Sequence, residues 1–271
     1  MDRLLPKAIG KGYLAVMNIF KHFSSNAPKK TVISKEEENE FSREVTKIEA
    51  LDDATKRLYK DLKKSMEAMA TLSKHQCRIG HNLAASPVLN TEEELKSLEL
   101  ISTSVGQIEE LTHKLNSQTT KVMVEPMKKF TLIFPSIYLV LKKREQCLQE
   151  YTRCQVKVEK YEDKERTGQN IAKLTTAKKG LEAAKESFDK FNNELMKELP
   201  EFFEGRLDYF QPCFEALIKA QIQYYTQCFK IYAELAPELE YRETVISDED
   251  FEEQIQQKMS DIRALSIVID D

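Results

Sequence analysis

The apolar positions in the first part of the chain recur at the spacing of a coiled coil. Thirteen candidate inward positions run from Phe41 to Leu83 at a mean step of about 3.5 residues, and only Thr55 and Gln76 interrupt the apolar row. A repeat of about 3.5 residues keeps one helical face turned towards a partner helix. The pattern therefore predicts a long first helix with an apolar seam along one side.

Two local signals predict the ends of this helix. Ser34 followed by Glu37 is a capping-box pattern, in which each side chain accepts a hydrogen bond from the backbone N–H of the other residue. Pro87 disfavours a helical conformation for Ser86. The first helix is therefore expected to span about 34–86.

A second helical segment is expected over about 91–163. Its apolar residues continue at helical spacing, while Pro126 and Pro135 each remove a backbone donor and predict a kink. A charged turn follows this segment. Gly168, within that turn, suits the C-terminus of the preceding helix.

A third helix is expected over about 170–235, with bends at Pro200 and Pro212. The residues from 238 onwards are acidic, with a weak helical stretch near 248–265. The chain has only 7 Gly and 8 Pro, too few for the frequent turns of a β-sheet protein. These patterns predict an all-α fold, an elongated antiparallel three-helix coiled coil with kinked helices.

The third helix carries more large aromatic side chains than three helices can cover for one another. A second copy of the chain would bury the surplus, which predicts an obligate homodimer. A monomeric three-helix bundle is the alternative. The residues expected at the dimer interface are Phe202, Tyr209, Phe210, Phe214, Tyr224 and Tyr225.

Charge divides the chain into three expected domains. Residues 1–30 hold six cations and one acid, a net charge of +5, whereas residues 234–271 hold twelve acids and three cations, a net charge of −9. The whole chain carries −4, so the residues between are balanced. We expect an N-terminal amphipathic membrane-binding segment at 1–30, a helical body at 31–237 and an acidic tail at 238–271.

The N-terminal segment spaces its apolar residues three and four apart, with lysines elsewhere around the helix. Such a sequence is expected to become helical at a bilayer and to bury its apolar face there. A mitochondrial presequence and a helix packed on the body are the alternatives. The residues expected to enter the bilayer are Leu5, Ile9, Tyr13, Val16, Phe20 and Phe23.

A basic band is expected towards the end of the second helix and the start of the third. Each cation near an anionic leaflet adds about 1 kcal/mol to binding, and a dimer doubles the number of cations. A solvated face whose cations pair with interspersed acids is the alternative, and nucleic acid is a weaker candidate because the chain is not basic overall. The band comprises Lys142, Lys143, Arg144, Lys157, Lys160, Lys164, Arg166, Lys173, Lys178 and Lys179.

Catalytic and nucleotide-binding motifs are missing from the sequence, including the P-loop, GxGxxG, GxSxG and HExxH patterns. His75 and Cys77 lack a second pair of ligands, so no zinc site is expected. The five cysteines form no CxxC pair, which favours a reducing intracellular compartment. We expect a protein that is not an enzyme and that needs no cofactor or metal.

Six segments of the chain resemble the BAR-domain family, in particular its short members and similar fungal relatives. Their matching order and spacing make the resemblance specific, and it covers roughly residues 30–271. The segments are VEPMKKF (124–130), FPS (134–136), KKREQCLQEY (142–151), KVEKYEDKERTG (157–168), GRLDYFQPCFEALIKAQIQYY (205–225) and IRALSIVIDD (262–271).

The resemblance implies a crescent-shaped homodimer that binds anionic phospholipid membranes and senses or generates their curvature. It also implies roles in endocytosis, cortical actin organisation and cytokinesis, in the cytoplasm at the peripheral membrane and cortical cytoskeleton. The implied partners are the membrane, a second copy of the chain, another BAR protein in a heterodimer, and actin-regulatory proteins, but not nucleic acid. The alternative is a coiled-coil cytoskeletal adaptor that binds proteins without contacting lipid.

Overall fold

The computed structural model describes residues 32–86, 92–238 and 247–265, and all regular structure within these ranges is helical. The predicted all-α fold is therefore confirmed. The N-terminal segment expected to enter a bilayer lies outside the described residues. The helices are α1 (Lys35–Ala84), α2 (Glu92–Thr119), α3 (Glu125–Thr131), α4 (Phe134–Glu162), α5 (Gly168–Glu238) and α6 (Asp248–Arg263), with a π-helical turn, Thr120–Val124, between α2 and α3.

Helix α1 begins at the capping box that the sequence predicts. The backbone N–H of Glu37 donates to Ser34 Oγ at 3.1 Å, and the backbone N–H of Ser34 donates to Glu37 Oε2 at 3.1 Å. Two N–H groups that would otherwise lack a partner in the first turn are satisfied in this way. The acidic residues of the first turn also lie at the positive end of the helix dipole.

The predicted second segment changes helix geometry at both of its prolines. Ahead of Pro126, the backbone N–H of Glu125 donates to the carbonyl of Thr120, five residues back, and this bond closes the π-helical turn. Pro126 then lies in the first turn of α3, where its missing donor costs little. Pro135 occupies the equivalent place in α4, after a break at residues 132–133. The helix geometry therefore changes at the two positions where the sequence predicts kinks, and at the second the helix is interrupted.

Helix α5 is 71 residues long and continues without interruption through Pro200 and Pro212. The expectation that Gly168 ends the preceding helix is wrong, because Gly168 begins α5. The cap is supplied by Thr167, whose carbonyl accepts from the Ile171 N–H at 2.9 Å and whose Oγ1 accepts from the Asn170 N–H at 3.4 Å. The weak helix expected in the tail is present as α6.

The described chain separates into two compact units, and the first contains residues 32–72 and 112–224. Its core lies where α1, α3, α4 and α5 meet, and an aromatic cluster fills the centre. The Phe130 ring centroid lies 5.5 Å from that of Phe134, 5.3 Å from those of Phe202 and Tyr209, and 4.8 Å from that of Phe210. The Tyr209 hydroxyl also donates to the Pro126 carbonyl at 3.0 Å, and this hydrogen bond joins α5 to the start of α3. Further buried core residues are Phe41, Val45, Ile48, Met123, Met127, Leu141, Leu195 and Leu199.

A buried hydroxyl–carboxylate pair also joins α1 to α4 in the first unit. The Tyr138 hydroxyl donates to Asp52 Oδ2 at 2.9 Å, and the same oxygen accepts from Lys56 Nζ at 2.6 Å. Burial, followed by the Asp52 charge, raises the pKa of Tyr138 well above its usual range. The hydroxyl therefore stays protonated and remains a donor.

The second unit contains residues 73–111 and 225–265. Here α1 and α2 approach closely at Gly80. A Cβ atom at this position would lie 2.9 Å from Val105 Cγ2 and 3.3 Å from Ser102 Cα. Glycine is thus required by the closeness of the neighbouring helix.

Candidate membrane-binding and self-association surfaces

The predicted basic band contains one residue that is not on the surface. Lys142 and Lys143 are exposed, as expected, but only 1% of Arg144 is exposed. The prediction that all three residues form an exposed cationic cluster is therefore wrong at Arg144. Successive helical residues are about 100° apart, so three consecutive cations cannot share one face.

Arg144 connects three helices inside the first unit. Its Nη2 and Nη1 atoms donate to the two carboxylate oxygens of Glu38 in α1, at 2.8 and 3.3 Å. Its Nε donates to Asn192 Oδ1 in α5 at 3.0 Å. The guanidinium carbon also lies 4.0 Å from the ring centroid of Phe41 and 5.0 Å from that of Phe188. Only a planar guanidinium can make the forked pair and the two ring contacts together, so Arg144 is a structural residue.

The other cations of the band are exposed and lie on α4, on the turn after it and on the first part of α5. This exposed set, which we call the basic band from here on, is Lys142, Lys143, Lys157, Lys160, Lys164, Arg166, Lys173, Lys178 and Lys179. The end of α4 lies beside the start of α5, as the distance of 2.8 Å between Lys178 Nζ and Glu162 Oε1 shows. Both partners are about half exposed, and an ion pair of this kind adds little stability. The pair therefore leaves Lys178 available to a stronger anionic partner.

The residues expected at a dimer interface divide into two groups. Phe210 is buried in the aromatic cluster of its own chain, and Phe202 stacks on Phe130. The Tyr224 hydroxyl lies 3.1 Å from Thr112 Oγ1 on α2, and Tyr224 is half-buried. Phe210 is therefore covered within its own chain and cannot face a second copy, whereas a place for the half-buried Phe202 and Tyr224 in an interface stays a prediction. The members that stay exposed are Tyr209, Phe214 and Tyr225.

A longer apolar stripe on α5 includes two of these exposed residues. Its members are spaced mostly three and four apart, so they lie on one side of the helix. Ile222 is 61% exposed and Phe229 is 72% exposed, whereas the small residues Ala220 and Cys228 face inward at 9% each. The sequence analysis named only part of this surface, although its spacing continues the helical period. The α5 stripe comprises Leu207, Phe214, Ile218, Ile222, Tyr225, Phe229 and Tyr232.

The predicted seam of α1 changes character along the helix. Phe41, Val45 and Ile48 are buried as expected, but Leu72 and Ile79 are each 59% exposed. These two residues, with Leu83, keep the heptad spacing without being covered by their own chain. An apolar surface of this kind marks a site of interaction with another molecule.

Three of the five cysteines do not resemble activated nucleophiles. A hydrogen bond from the Cys77 thiol to the Glu109 carboxylate raises the pKa of that thiol, and burial raises the pKa of Cys154 and Cys213. A raised pKa reduces the thiolate fraction, which is the reactive form. In the described part of the chain, no cluster of three or more His, Cys, Asp or Glu residues could hold a metal ion, and no helix is long and apolar enough to cross a membrane.

Comparison with known proteins points to one family. The family model for the BAR domain matches residues 23–241. Bridging integrator 3 of Mus musculus is 42% identical over 250 residues, covering 92% of this chain and 98% of that protein. The Regulator of cytoskeleton and endocytosis RVS161 of Candida albicans is 28% identical, covering 80% of this chain and 82% of that protein. Among solved structures, the amphiphysin BAR domain from Drosophila aligns with a TM-score of 0.64 at 17% identity, over 79% of this chain and 96% of that chain, which shows the shared fold.

Proposed function

Because the chain belongs to the BAR-domain family, we propose that it is a non-enzymatic, membrane-binding homodimer that senses or generates curvature. The observation that carries the proposal is the basic band, whose nine cations are all exposed along α4, the turn and the start of α5. Each cation near an anionic leaflet contributes about 1 kcal/mol, so a fraction of the basic band suffices for useful affinity. A second copy of the chain doubles the number of cations.

The α5 stripe supports the homodimer. Its large apolar side chains are exposed along one side of α5, so this side resembles half of an interface core. Obligate interfaces are apolar and large, and they resemble a domain core cut in two. In this proposal, the exposed residues Tyr209, Phe214 and Tyr225 belong to the interface, and the other residues of the α5 stripe extend it. A heterodimer with another BAR protein would use the same surface.

The cellular role follows from the similarity to relatives. One relative is named as a regulator of cytoskeleton and endocytosis, and it resembles this chain over most of the length of both proteins. We therefore place this protein in endocytic membrane remodelling and cortical actin organisation, including cytokinesis, with actin-regulatory proteins as partners. It would act in the cytoplasm, at the peripheral membrane and the cortical cytoskeleton. A cytoskeletal adaptor that ignores lipid is the competing function.

Liposome co-sedimentation tests the proposal. The variant Lys142→Glu with Lys143→Glu keeps Arg144, so the three-helix connection remains intact. Binding to anionic vesicles should weaken at least about tenfold, because charge reversal at four sites per dimer replaces attraction with repulsion. Added salt should weaken the binding of the unaltered protein, since the charges are screened within a Debye length.

The matched control is Lys63→Glu with Lys64→Glu, which makes the same charge change at two exposed neighbours on α1. A clearly smaller loss of binding is expected for this control. Equal losses in both variants would mean that net charge, and not the basic band, governs binding. An unaltered protein that ignores anionic vesicles would instead support the adaptor.

A further inference from the structure

An exposed face with two leucines at its centre runs along α3, the break after it and the first part of α4. Leu132 is 70% exposed and Leu139 is 56% exposed, although core residues such as Phe130 and Phe134 lie close to them in sequence. A pair of lysines stands at each end of the face. We call it the α3–α4 face, and its members, all exposed, are Lys128, Lys129, Leu132, Pro135, Ser136, Leu139, Lys142 and Lys143.

Helical phase places these residues on one side of the chain despite the break. Leu132 and Ile133 keep backbone angles of the α-helical region. The Ile133 N–H donates to the Phe130 carbonyl at 3.1 Å, and the Ile133 carbonyl accepts from the Ile137 N–H at 3.3 Å, so the turns continue from α3 into α4. At about 100° per residue, every member of the α3–α4 face lies within about 80° of Leu139. The residues that the same count places on the opposite side are buried: Met127, Phe130, Phe134, Leu141 and Arg144.

The charge of the α3–α4 face fits an anionic surface. Residues 126–144 contain no acid, and the exposed Glu125 lies at the edge of the face, one turn before Lys128. Four lysines are therefore set against one acid. None of the four forms an ion pair with a residue that the structure describes. Lysine stems can lie along an apolar surface while their ammonium groups reach lipid phosphates.

We propose that the α3–α4 face inserts Leu132 and Leu139 into the boundary between headgroups and acyl chains of an anionic leaflet, with both lysine pairs at the phosphates. The inference rests on the proposed membrane-binding function and adds to it an apolar contact that the basic band lacks. A shallow apolar insertion of this kind makes binding sensitive to curvature as well as to charge. A second copy of the same face is a poor occupant, because lysine pairs at both ends would oppose lysine pairs in either orientation.

Tryptophan fluorescence tests the insertion directly, because the chain contains no tryptophan. Leu132→Trp and Leu139→Trp each place one fluorophore on the face, and Phe229→Trp, which keeps an aromatic ring in the α5 stripe, is the matched control. Vesicles of phosphatidylcholine and phosphatidylserine should shift the emission of the first two variants to shorter wavelength. Lipids brominated on their acyl chains should quench that emission several-fold more than the emission of the control, which a second copy covers.

Two results of this measurement would overturn the insertion. One is quenching at positions 132 and 139 that is absent or no stronger than at position 229. The other is emission from positions 132 and 139 that is already shifted without vesicles and depends on protein concentration, which would assign the face to a second copy of the chain.

Vesicle co-sedimentation measures how much the two leucines contribute. Leu132→Asn with Leu139→Asn removes the apolar contact and keeps the net charge, whereas Ile255→Asn with Ile262→Asn makes the same kind of change at exposed residues of α6. The first variant should bind the same vesicles at least about tenfold more weakly, and the second should bind as the unaltered protein does. Circular dichroism and light scattering check that each variant is folded and keeps the oligomeric state of the unaltered protein.

The outcomes separate this inference from the proposed function. If the unaltered protein sediments with the vesicles and the leucine variant loses nothing, or loses no more than the α6 variant, the insertion is wrong and the proposed function stands. If the unaltered protein does not sediment with them, both are wrong.

Discussion

Two stretches of α5 carry the same kinds of side chain but cover them in opposite ways. Between Phe188 and Phe210, large apolar residues face their own chain and are at most 9% exposed at Phe188, Leu195, Leu199 and Phe210. Between Phe214 and Tyr232, only the small residues Ala220 and Cys228 are as deeply buried, and Leu217, Tyr224 and Ile231 are partly buried. Six large residues of this stretch are from 38% to 72% exposed. The helix itself does not change, since α5 is continuous over both stretches.

The difference shows what a hydrophobic period can and cannot establish. Spacing of three and four residues identifies a helical face that needs cover, whether the cover comes from the same chain or from another. The exposed fraction of each side chain separates the two cases. Where large side chains such as Ile222 and Phe229 stay exposed along a helical face, we propose that a second molecule covers them.

The largest effect is expected when charges are placed in the α5 stripe, which tests whether the exposed stretch of α5 is covered by a second copy. Ile222→Asp with Phe229→Asp puts four carboxylates into a symmetric interface, because each substitution occurs twice in a dimer. Burying unpaired charge is costly, so the dimer dissociation constant should rise at least about a thousandfold. Light scattering should report a monomer at micromolar concentration.

The matched control for this variant uses Gln223→Asp with Lys230→Asp, exposed positions on the same helix with the same spacing but outside the stripe. This control should remain a dimer. A stripe variant that still scatters as a dimer would show that the second copy binds elsewhere.

The next largest effect is expected in the aromatic cluster against which the first stretch of α5 packs. Phe130→Ala removes the ring that contacts four other aromatic side chains, which should lower the free energy of unfolding by about 4 kcal/mol. Urea unfolding at a fixed protein concentration measures the loss. Leu132→Ala, two residues further on and 70% exposed, should change stability by less than about 0.5 kcal/mol. Similar losses in the two variants would contradict a core centred on Phe130.

Arg144 sharpens the comparison because it is a cation that behaves as a core residue. Arg144→Ala should cost about 3 kcal/mol of unfolding free energy, since it leaves Asn192 and the Glu38 carboxylate without their shared partner. Lys143→Ala should leave stability within about 0.5 kcal/mol but weaken binding to anionic vesicles. If the two variants exchanged these effects, the assignment of Arg144 to the core and of Lys143 to the surface would fail.

The smallest effect tests how closely the second unit is packed. Gly80→Ala should lower the free energy of unfolding by about 1.5 kcal/mol, because the added methyl group meets Val105 and the α2 backbone. Gly106→Ala places a methyl group in open space and should raise stability by up to about 1 kcal/mol through helix propensity. Thermal unfolding distinguishes the two outcomes. Equal shifts in the melting temperature would indicate that the helices are further apart at Gly80.

Much of the fold could be predicted from local chemistry. The capping box at Ser34, the interruptions at Pro126 and Pro135 and the helix in the tail each depend on residues close in sequence. Gly168 shows where such reasoning fails. A glycine is suited to either end of a helix, and here the neighbouring Thr167 accepts from the first N–H groups of α5 and makes Gly168 its first residue.

The candidate site was only partly predictable from the sequence, because Lys142, Lys143 and Arg144 share a charge but not a helical face. Leu141 is buried and Leu148 is half-buried on the inward side of α4. Arg144 lies three residues after the first and four before the second, so it shares their face. Its burial could have been inferred from that spacing. The identities of Glu38 and Asn192 could not, because they are 106 and 48 residues away in sequence and are brought together by the fold.

The π-helical turn has a consequence for the angular phase of the chain. Four buried residues follow one another at every fourth position: Leu115, Thr119, Met123 and Met127. In an uninterrupted α-helix, three such steps would rotate the inward side by about 120°. The wider turn at Thr120–Val124 removes most of that rotation. Deletion of one residue there would leave eleven steps of about 100° between Leu115 and Met127, so an ordinary α-helix would keep both residues within about 20° of the same side. The π-helical turn therefore accommodates one additional residue without turning the inward side away from the core.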